Sequence, residues 1–321
     1  MEVNHSQPVL LVGNGKMAEA YANVLKALDI PFVVCGRNQK HIDEFSLKHN
    51  AHNTLPLSKV TAEELLKFRF SIIATAMETL AGITEEFLHR GAKKILVEKP
   101  AALTLEQANN LAKQSKEKNA IVRIALNRRF YSSVGMLKQI LTKEKSVCAF
   151  FDFTDDSASI AEAIFHADAK KRWALANSVH VIDTVSYLLG RSTDIHAQYF
   201  GKNELYWHAN AATFMGTALF GNTPTTYVTS WVCPGRWNIE IMTNQGRYKL
   251  SPMEKLQVMM PGQYQWVDVD IDNELDLQFK PGVYRMVQSF DALTSKTENQ
   301  SFLDYSEYTE TIKMISSIAG Y

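Results

Sequence analysis

The stretch that decides the fold of this chain is Val9-Leu10-Leu11-Val12-Gly13-Asn14-Gly15-Lys16-Met17-Ala18, an apolar run followed at once by a glycine-rich turn. Apolar residues then recur at helical spacing as far as Leu28, and a second apolar run occupies residues 32–35. A strand, a glycine turn, a helix and a strand within about 30 residues have the size of a βαβ unit. We therefore expect a parallel sheet covered by helices at the start of the chain.

The alternation of strands and helices continues to about residue 126. Further strands are predicted at 70–75, 95–97 and 121–126, with helical patterns between them. Right-handed crossovers between such strands produce a doubly wound sheet. Residues 1–125 are therefore predicted to form a dinucleotide-binding domain of the Rossmann type.

Beyond residue 145 the pattern changes to closely spaced strands separated by turn signals such as Pro234-Gly235. Short turns between strands imply antiparallel pairing. The predicted elements are a helix at 179–190, strands at 147–153, 195–200, 211–220, 225–232, 237–243 and 247–250, and helices near 282–295 and 303–318. Residues 126–321 are therefore predicted to form an α+β domain with an open, mainly antiparallel sheet. Whether the last helices return to the first domain stays open, and residues 155–172 receive no assignment.

Composition restricts the class of protein. A chain of 321 residues suits two domains, and its 34 basic and 34 acidic residues cancel, so net charge gives no reason to expect nucleic acid as a partner. The three cysteines are far apart and form no C-x-x-C motif, so neither a disulfide framework nor a metal site is predicted. The polar N-terminus and the lack of a long apolar run lead us to expect a soluble, cytoplasmic protein that does not enter a membrane.

The glycine turn has the form G-x-G-x-x-A, and each small residue has a chemical reason. The first glycine allows the tight turn, the second lets the backbone approach a pyrophosphate, and the third small residue lets helix and strand pack closely. Exposed N–H groups at the helix start then face the phosphates. We predict that Gly13, Asn14, Gly15, Lys16 and Met17 bind the cofactor; a turn that is glycine-rich for structural reasons is the alternative.

The residue after the second strand bears on which dinucleotide binds. A carboxylate at this position usually holds the ribose hydroxyls of NAD, whereas an arginine accommodates the additional phosphate of NADP. The strand here ends Cys35-Gly36-Arg37-Asn38, without a carboxylate. Arg37 therefore favours NADP, with NAD as the alternative.

Three further motifs resemble one known family. Val97-Glu98-Lys99-Pro100 closes a predicted strand, Asn127-Arg128-Arg129-Phe130 follows the next one, and His180-Val181-Ile182-Asp183 lies on a predicted helix. Together with the glycine turn, these motifs resemble the Gfo/Idh/MocA oxidoreductases, which include glucose-fructose oxidoreductase and inositol dehydrogenase. The resemblance covers nearly the whole chain.

This resemblance implies hydride transfer between a nicotinamide and a hydroxyl-bearing carbon of a small sugar-like or polyol substrate. It places Lys99 and His180 in catalytic roles. Thr75, Ala76, Glu98 and Lys99 would lie at the cofactor. Lys99 would also contact the substrate, together with Arg129, Asn177, His180 and Asp183. The second-domain sheet would form a homo-oligomer.

Two departures from the family pattern leave alternatives open. Relatives commonly carry an aspartate four residues before the histidine, where this chain has Ala176. The segment after Thr75 also lacks the proline, asparagine and histidine that relatives often have there. A dinucleotide-binding sensor without turnover is therefore one alternative, and a glycoside-cleaving enzyme that uses NAD is another.

Overall fold

The computed structural model describes residues 7–156, 160, 167–293 and 299–321. The chain divides into two compact units. Unit 1 comprises Met1–Asn127 and Gln278–Thr309, and unit 2 comprises Arg128–Leu277 and Glu310–Tyr321.

Unit 1 is built on a parallel sheet of six strands in the order β3-β2-β1-β4-β5-β6. Its elements are β1 (Val9–Val12), α1 (Lys16–Ala27), β2 (Phe32–Gly36), α2 (Gln39–His49), β3 (Asn53–Pro56), α3 (Ala62–Leu65), β4 (Ser71–Ile73), α4 (Leu80–His89), β5 (Lys94–Glu98), α5 (Leu105–Glu117), β6 (Ile121–Ala125) and α10 (Val283–Ala292). The strand order reverses on the two sides of β1, as in a doubly wound sheet. The predicted fold class is confirmed.

The central strands carry the core of unit 1. All residues of β1, β2 and β4 are buried, as is expected when helices cover both faces of a parallel sheet. Strand β3 was not predicted from the sequence. It forms the sheet edge, and its four residues Asn53–Pro56 include none that is fully buried, so no apolar pattern marks it.

Unit 2 contains the second sheet, of eight strands in the order β14-β13-β12-β11-β7-β10-β9-β8. Its elements are α6 (Ser132–Leu141), β7 (Ser146–Asp152), α7 (Ala167–Lys171), a π-helix (Ala174–Ser178), α8 (Val179–Leu189), β8 (Ser192–Phe200), β9 (Thr213–Phe220), β10 (Thr223–Ser230), β11 (Asn238–Thr243), β12 (Arg247–Leu250), β13 (Gln257–Met259) and β14 (Val267–Asp268). Two further helices, α9 (Glu274–Gln278) and α11 (Tyr305–Ala319), complete the chain.

The pairing in this sheet is antiparallel except between β7 and β10, which run parallel. One side of β10 is buried and the other exposed, in strict alternation from Thr223 to Thr229. The buried side packs aromatic rings, with Phe151 stacked on Tyr227 at 5.1 Å between centroids. The prediction of an open, mainly antiparallel sheet is confirmed.

Several elements differ from their predicted bounds. The predicted strand 70–75 is limited to Ser71–Ile73, and the helix predicted near 282–295 spans Val283–Ala292 in the described part, with 294–295 outside the described residues. Helix α6, strands β13 and β14 and the π-helix were not predicted. Of residues 155–172, which received no assignment, 157–159 and 161–166 lie outside the described residues, and Ala167–Lys171 is helical.

Candidate functional site

The glycine turn between β1 and α1 depends on Gly13. This residue has φ +120°, and a Cβ placed on it would lie 2.2 Å from the carbonyl oxygen of Ala74. Only glycine adopts this backbone conformation without strain while allowing the end of β4 to approach so closely. Gly13 therefore has a structural role as well as a place in the predicted cofactor turn.

Gly15 is placed differently. It is the N-cap of α1, its backbone is extended, and no described side chain caps the helix. Among the described residues, no atom outside its chain neighbours and the α1 backbone lies within 4 Å of a Cβ built on Gly15. Asn14, Gly15 and Lys16 are exposed, and Met17 is half-buried. The first N–H groups of α1 therefore face open space at the positive end of the helix dipole, the arrangement that binds a pyrophosphate. The residues present fit a dinucleotide.

The other predicted cofactor residues of unit 1 follow neighbouring strands of the same sheet. Because β1, β2, β4 and β5 are parallel, their carboxyl ends form one edge of the sheet. Arg37 is exposed directly after β2, and Thr75, half-buried, follows β4. The Thr75 and Thr79 hydroxyls are hydrogen-bonded at 2.8 Å, and Thr79 Oγ1 donates to the carbonyl oxygen of Ala76 at 2.7 Å.

Glu98 and Lys99 lie at this edge, at the end of β5. Glu98 is buried, and its Oε1 accepts a hydrogen bond of 2.5 Å from Tyr21 Oη. Its Oε2 accepts one of 3.2 Å from the backbone N–H of Lys99, which is half-buried. Burial raises the pKa of the Glu98 carboxyl, while the Tyr21 hydroxyl and the nearby Lys99 charge act in the opposite direction. Glu98 thus fixes the backbone from which the Lys99 side chain extends.

Tyr21 was not among the predicted site residues. It is fully buried on α1, and its spacing assigned it to the apolar face of that helix. A tyrosine in a buried helical position usually needs a hydrogen-bond partner for its hydroxyl. That requirement could have indicated that Tyr21 contacts a polar residue near the site. Burial raises its pKa well above the ordinary value, so the hydroxyl remains a donor to Glu98.

His180 lies in the first turn of α8 in unit 2, where it is buried. Its Nε2 lies 3.0 Å from Nη1 of Arg128, and its ring lies 5.7 Å from that of Trp237. Because a guanidinium only donates hydrogen bonds, Nε2 is the acceptor and the imidazole proton is on Nδ1. The Arg128 guanidinium also lies against the rings of Tyr131 at 5.5 Å and Trp237 at 5.4 Å.

Arg129 and Asp183, both predicted to contact substrate, contact each other. Arg129 Nε and Nη2 donate to the two oxygens of Asp183, each at 2.8 Å, and both side chains are buried. This bidentate geometry is the strong form of an ion pair. It ties the segment after β6 to α8, the helix that carries His180.

Asn177, the remaining predicted substrate residue, contacts a carboxylate that sequence reasoning missed. Its Nδ2 donates to Oδ2 of Asp155 at 2.6 Å, and Trp173 Nε1 donates to the same oxygen at 3.1 Å. Asp155 also lines a cavity of about 250 Å³ within unit 2, which is formed by Arg128, Thr154, Asp155, Gly235, Arg236, Trp237, Pro252, Met253 and Glu254.

The described residues contain neither a cluster of metal ligands nor a helix that could cross a membrane. No group of three or more His, Cys, Asp or Glu side chains lies together there as metal ligands would. No helix in the described part of the chain has the length and apolar character needed to cross a membrane.

A helix start without a described side-chain cap, after a glycine turn at the carboxyl edge of a doubly wound sheet, is typical of dinucleotide-binding proteins. Residues 8–126 match the model of the Gfo/Idh/MocA oxidoreductase family with an NAD-binding Rossmann fold. Over this part of the chain, the match confirms the resemblance that the motifs predicted.

Solved structures extend the likeness of fold over both units. A Gfo/Idh/MocA family oxidoreductase from Vibrio cholerae is 17% identical, with a TM-score of 0.78 and coverage of 98% of this chain and 97% of that one. An oxidoreductase from Agrobacterium radiobacter, solved with NAD+, L-tartaric acid and magnesium, is 16% identical (TM-score 0.76; 97% and 94% covered). A UDP-N-acetylglucosamine 3-dehydrogenase from Acidithiobacillus ferrooxidans is 14% identical (TM-score 0.75; 98% and 97% covered). No curated protein sequence matched the chain.

Proposed function

We propose that this protein is an NAD(P)-dependent oxidoreductase acting on a hydroxyl-bearing carbon of a small sugar-like or polyol substrate. The observation that carries the proposal is the shared edge of the unit 1 sheet, where the turn after β1 and Lys99 after β5 lie at the carboxyl ends of strands separated only by β4. Ligands of open α/β sheets bind at this edge, next to the point where the strand order reverses.

The cofactor is held by the turn and the start of α1, with Gly13, Asn14, Gly15, Lys16 and Met17 at the pyrophosphate. Thr75, Ala76 and Glu98 follow the neighbouring strands at the same edge. Arg37 supports NADP over NAD, because it is exposed directly after β2 and no carboxylate stands beside it. The Agrobacterium radiobacter structure contains NAD+, so the preference rests on Arg37 alone.

The proton chemistry belongs to two residues of the chain. A bound nicotinamide supplies the hydride donor or acceptor. Lys99 binds the reacting oxygen with its ammonium group and holds or relays the proton there. We assign His180 as the second proton-transferring group because it matches the histidine of the family motif and an imidazole titrates near neutral pH. Its Nε2 accepts a hydrogen bond from Arg128, so that contact must open before Nε2 can take a proton from substrate.

The remaining predicted substrate residues act in unit 2. We assign the Arg129–Asp183 pair the task of fixing α8, and thereby the His180 side chain, relative to the segment after β6. Asn177 is assigned to the substrate side through its contact with Asp155.

A fluorescence titration of the purified protein with NADPH and with NADH tests the proposal. We expect binding of both forms with a preference for NADPH, and Arg37→Ala should remove the preference by weakening NADPH alone. Lys40→Ala is the matched control, because this lysine is also exposed and basic but is the second residue of α2, where it lies near Glu44. If the folded protein binds neither nucleotide, the proposed function is wrong.

A second candidate is a dinucleotide-binding sensor without turnover. It is favoured by Ala176, which is fully buried and leaves the turn before His180 without a carboxylate. It is also favoured by the segment after Thr75, which lacks the proline, asparagine and histidine that relatives often have there. Nicotinamide binding without oxidation or reduction of any sugar or polyol in a broad panel would support this candidate over the enzyme.

We also propose that the protein is a homo-oligomer formed through the exposed side of the unit 2 sheet. Val228 of β10 pairs with Met215 of β9, and both are exposed together with Phe200 of β8. Grouped apolar side chains on a sheet surface are typical of a subunit interface. Light scattering after size-exclusion chromatography should give a multiple of the monomer mass, and Val228→Lys should reduce the measured mass.

We also propose a cytoplasmic location, which the three free cysteines support.

A further inference from the structure

Asp155 is the feature of unit 2 that the proposed mechanism leaves unexplained. The segment before His180, residues 174–178, reads Ala-Leu-Ala-Asn-Ser and contains no acidic residue. A carboxylate nevertheless reaches this segment from elsewhere in the chain, since Asp155 follows the end of β7 and accepts a hydrogen bond from Asn177. The fold therefore brings a carboxylate to the π-helical segment 174–178, which has none of its own.

The position of this carboxylate is well defined. Asn177 Nδ2 and Trp173 Nε1 donate to the same oxygen, Oδ2, from two points one helical turn apart. The preceding residue, Thr154, is buried and accepts a hydrogen bond from the backbone N–H of Ser230 at 3.2 Å. The two hydrogen bonds offset the cost of partly burying the carboxylate and hold it in a defined position, as a binding side chain requires.

The cavity lined by Asp155 adjoins His180. Two of its other lining residues, Arg128 and Trp237, contact the imidazole directly, the first at 3.0 Å and the second at 5.7 Å between rings. The cavity thus combines a carboxylate that accepts hydrogen bonds, guanidinium groups that donate them and an indole ring. Vicinal hydroxyl groups need both kinds of partner, and their C–H faces pack on aromatic rings.

We propose that Asp155 is a specificity-determining residue that accepts hydrogen bonds from adjacent hydroxyl groups of a polyol bound in this cavity. It does so in place of a carboxylate in the turn that precedes His180, residues 174–178, which contains none. Asn177 is a positioning residue, which acts by holding Asp155. The inference rests on the proposed function for the identity of the reaction, but polyol binding by unit 2 is measurable without it.

The test is calorimetric titration and saturation-transfer NMR on the full chain with D-glucose, D-sorbitol and myo-inositol as probes, and with cyclohexanol as a probe that has one hydroxyl. We expect at least one polyol to bind without cofactor and cyclohexanol to bind no better than background. Asp155→Asn keeps the shape of the side chain and should weaken polyol binding about tenfold or more, the usual effect of losing a hydrogen bond to a charged group. Asp156→Asn, the neighbouring exposed carboxylate, is the matched control and should bind as the wild type does.

The role of Asn177 is tested by a double-mutant cycle. Asn177→Ala should weaken polyol binding in the wild-type background and have no further effect in the Asp155→Asn background, which a direct contact between Asn177 and substrate would not produce. Thermal unfolding followed by circular dichroism checks that each variant folds. Asp155→Glu keeps the charge and serves if the asparagine variant is unstable; it should bind with reduced affinity because the carboxylate is displaced.

The inference is overturned if no polyol binds the folded wild type, or if Asp155→Asn binds polyols as tightly as the wild type. The proposed function fails in a different experiment: it is wrong if the folded protein binds neither NADPH nor NADH in titrations without polyol. Asp155→Asn should leave those nucleotide titrations unchanged.

Discussion

Lys99 is the side chain on which the proposed chemistry depends most directly. Its backbone N–H is hydrogen-bonded to Glu98, and the residue follows β5 at the sheet edge that also carries the glycine turn. We expect Lys99→Met to reduce turnover by about 10²- to 10⁴-fold, the usual contribution of a positioned proton-transfer group. Nucleotide affinity in the fluorescence titration should stay within about twofold of the wild type, since the pyrophosphate contacts are unaffected.

Lys113→Met is the control for this prediction, because Lys113 is an exposed lysine on α5 whose ammonium group lies 3.9 Å from the carboxylate of Glu117, one turn away. It should keep full turnover. Retention of turnover by Lys99→Met would remove this residue from the mechanism, and loss of folding would assign it a structural role.

Tyr21 and Glu98 allow a prediction about pH at the same scale. Burial raises the pKa of the Glu98 carboxyl, so the folded protein keeps this proton to a higher pH than the unfolded chain, whose value is 4.5. The contribution of Glu98 to stability therefore falls as the pH rises from 4.5 through the folded pKa. Tyr21→Phe removes a donor to the charged form and should cost about 1–3 kcal/mol near neutral pH, and less in acid.

Urea denaturation at several pH values measures this effect. Adding Glu98→Gln to the Tyr21→Phe variant is the control, since an amide does not titrate and the additional pH dependence should disappear. If Tyr21→Phe lowers the free energy of unfolding by the same amount at all pH values, the hydrogen bond from Tyr21 to charged Glu98 is not the cause.

The site residues differ in how far sequence could predict them. Gly13 and Lys99 sit in short contiguous motifs, in which neighbours in the chain are neighbours in space. Asp155, Arg128 and Trp237 come from three separate segments and meet only when unit 2 folds. No spacing rule connects them, so their cavity was not predictable from the residues alone.

At the scale of the element, the turn between β1 and α1 separates a structural glycine from a functional one. Gly13→Ala places a Cβ against the Ala74 carbonyl at a φ of +120°, and should cost at least about 2 kcal/mol of stability. Gly15→Ala meets no atom within 4 Å and has an allowed backbone, so its unfolding midpoint should match the wild type.

The same pair separates stability from binding. The alanine methyl at position 15 would project into the space where the backbone must approach the pyrophosphate, so Gly15→Ala should weaken NADPH binding about tenfold while the fold stays intact. Thermal unfolding and NADPH titration of both variants measure the two effects. Unchanged NADPH affinity in Gly15→Ala would contradict the proposed cofactor turn.

Elements were predictable where burial imposes a pattern. Strands β1 and β2 are buried on both faces and read as apolar runs, whereas β13 and β14 contain no fully buried residue and have no such pattern. The edge strand β3 escaped prediction for the same reason. Helix α6 was also missed, although its buried Ser133, Val134 and Leu137 recur at helical spacing.

At the scale of the whole molecule, the stability of unit 2 should depend on the charge of His208. This histidine lies among Trp231, Phe214 and Tyr321, and its Nδ1 contacts the carbonyl oxygen of Ala211 at 2.8 Å. Burial lowers its pKa from 6.5, so the folded protein holds it neutral where the unfolded chain is already protonated. Its contribution to stability is present above pH 6.5 and is lost as the pH falls through the folded pKa.

Replacement by phenylalanine tests this, because His208→Phe keeps an aromatic ring and cannot be protonated. The variant should lose less stability than the wild type between about pH 7 and pH 5 in thermal unfolding. His196→Phe, at an exposed position on β8, should follow the wild-type profile. Identical profiles for His208→Phe and the wild type would show that His208 is not held neutral.

The order of a parallel sheet followed by an antiparallel one could be read from the sequence, because the spacing of strands and turns changes near residue 145. It could not be predicted from the sequence that the late helix α10 belongs to unit 1. Its amphipathic pattern demands some apolar partner, and the structure supplies α1 of unit 1, which lies more than 250 residues earlier in the chain.

The π-helix at 174–178 has a consequence for anyone who compares this chain with its relatives by aligning sequences. Val179 N–H bonds to the carbonyl of Ala174, five residues back, so this turn contains one residue more than an α-helical turn. A π-helix commonly marks a single-residue insertion, and counting back from His180 then reaches a position displaced around the helix axis. Ala176 and Asn177 therefore occupy different directions around the helix axis from those they would have in an α-helix, and they should be matched to relatives by superposed coordinates.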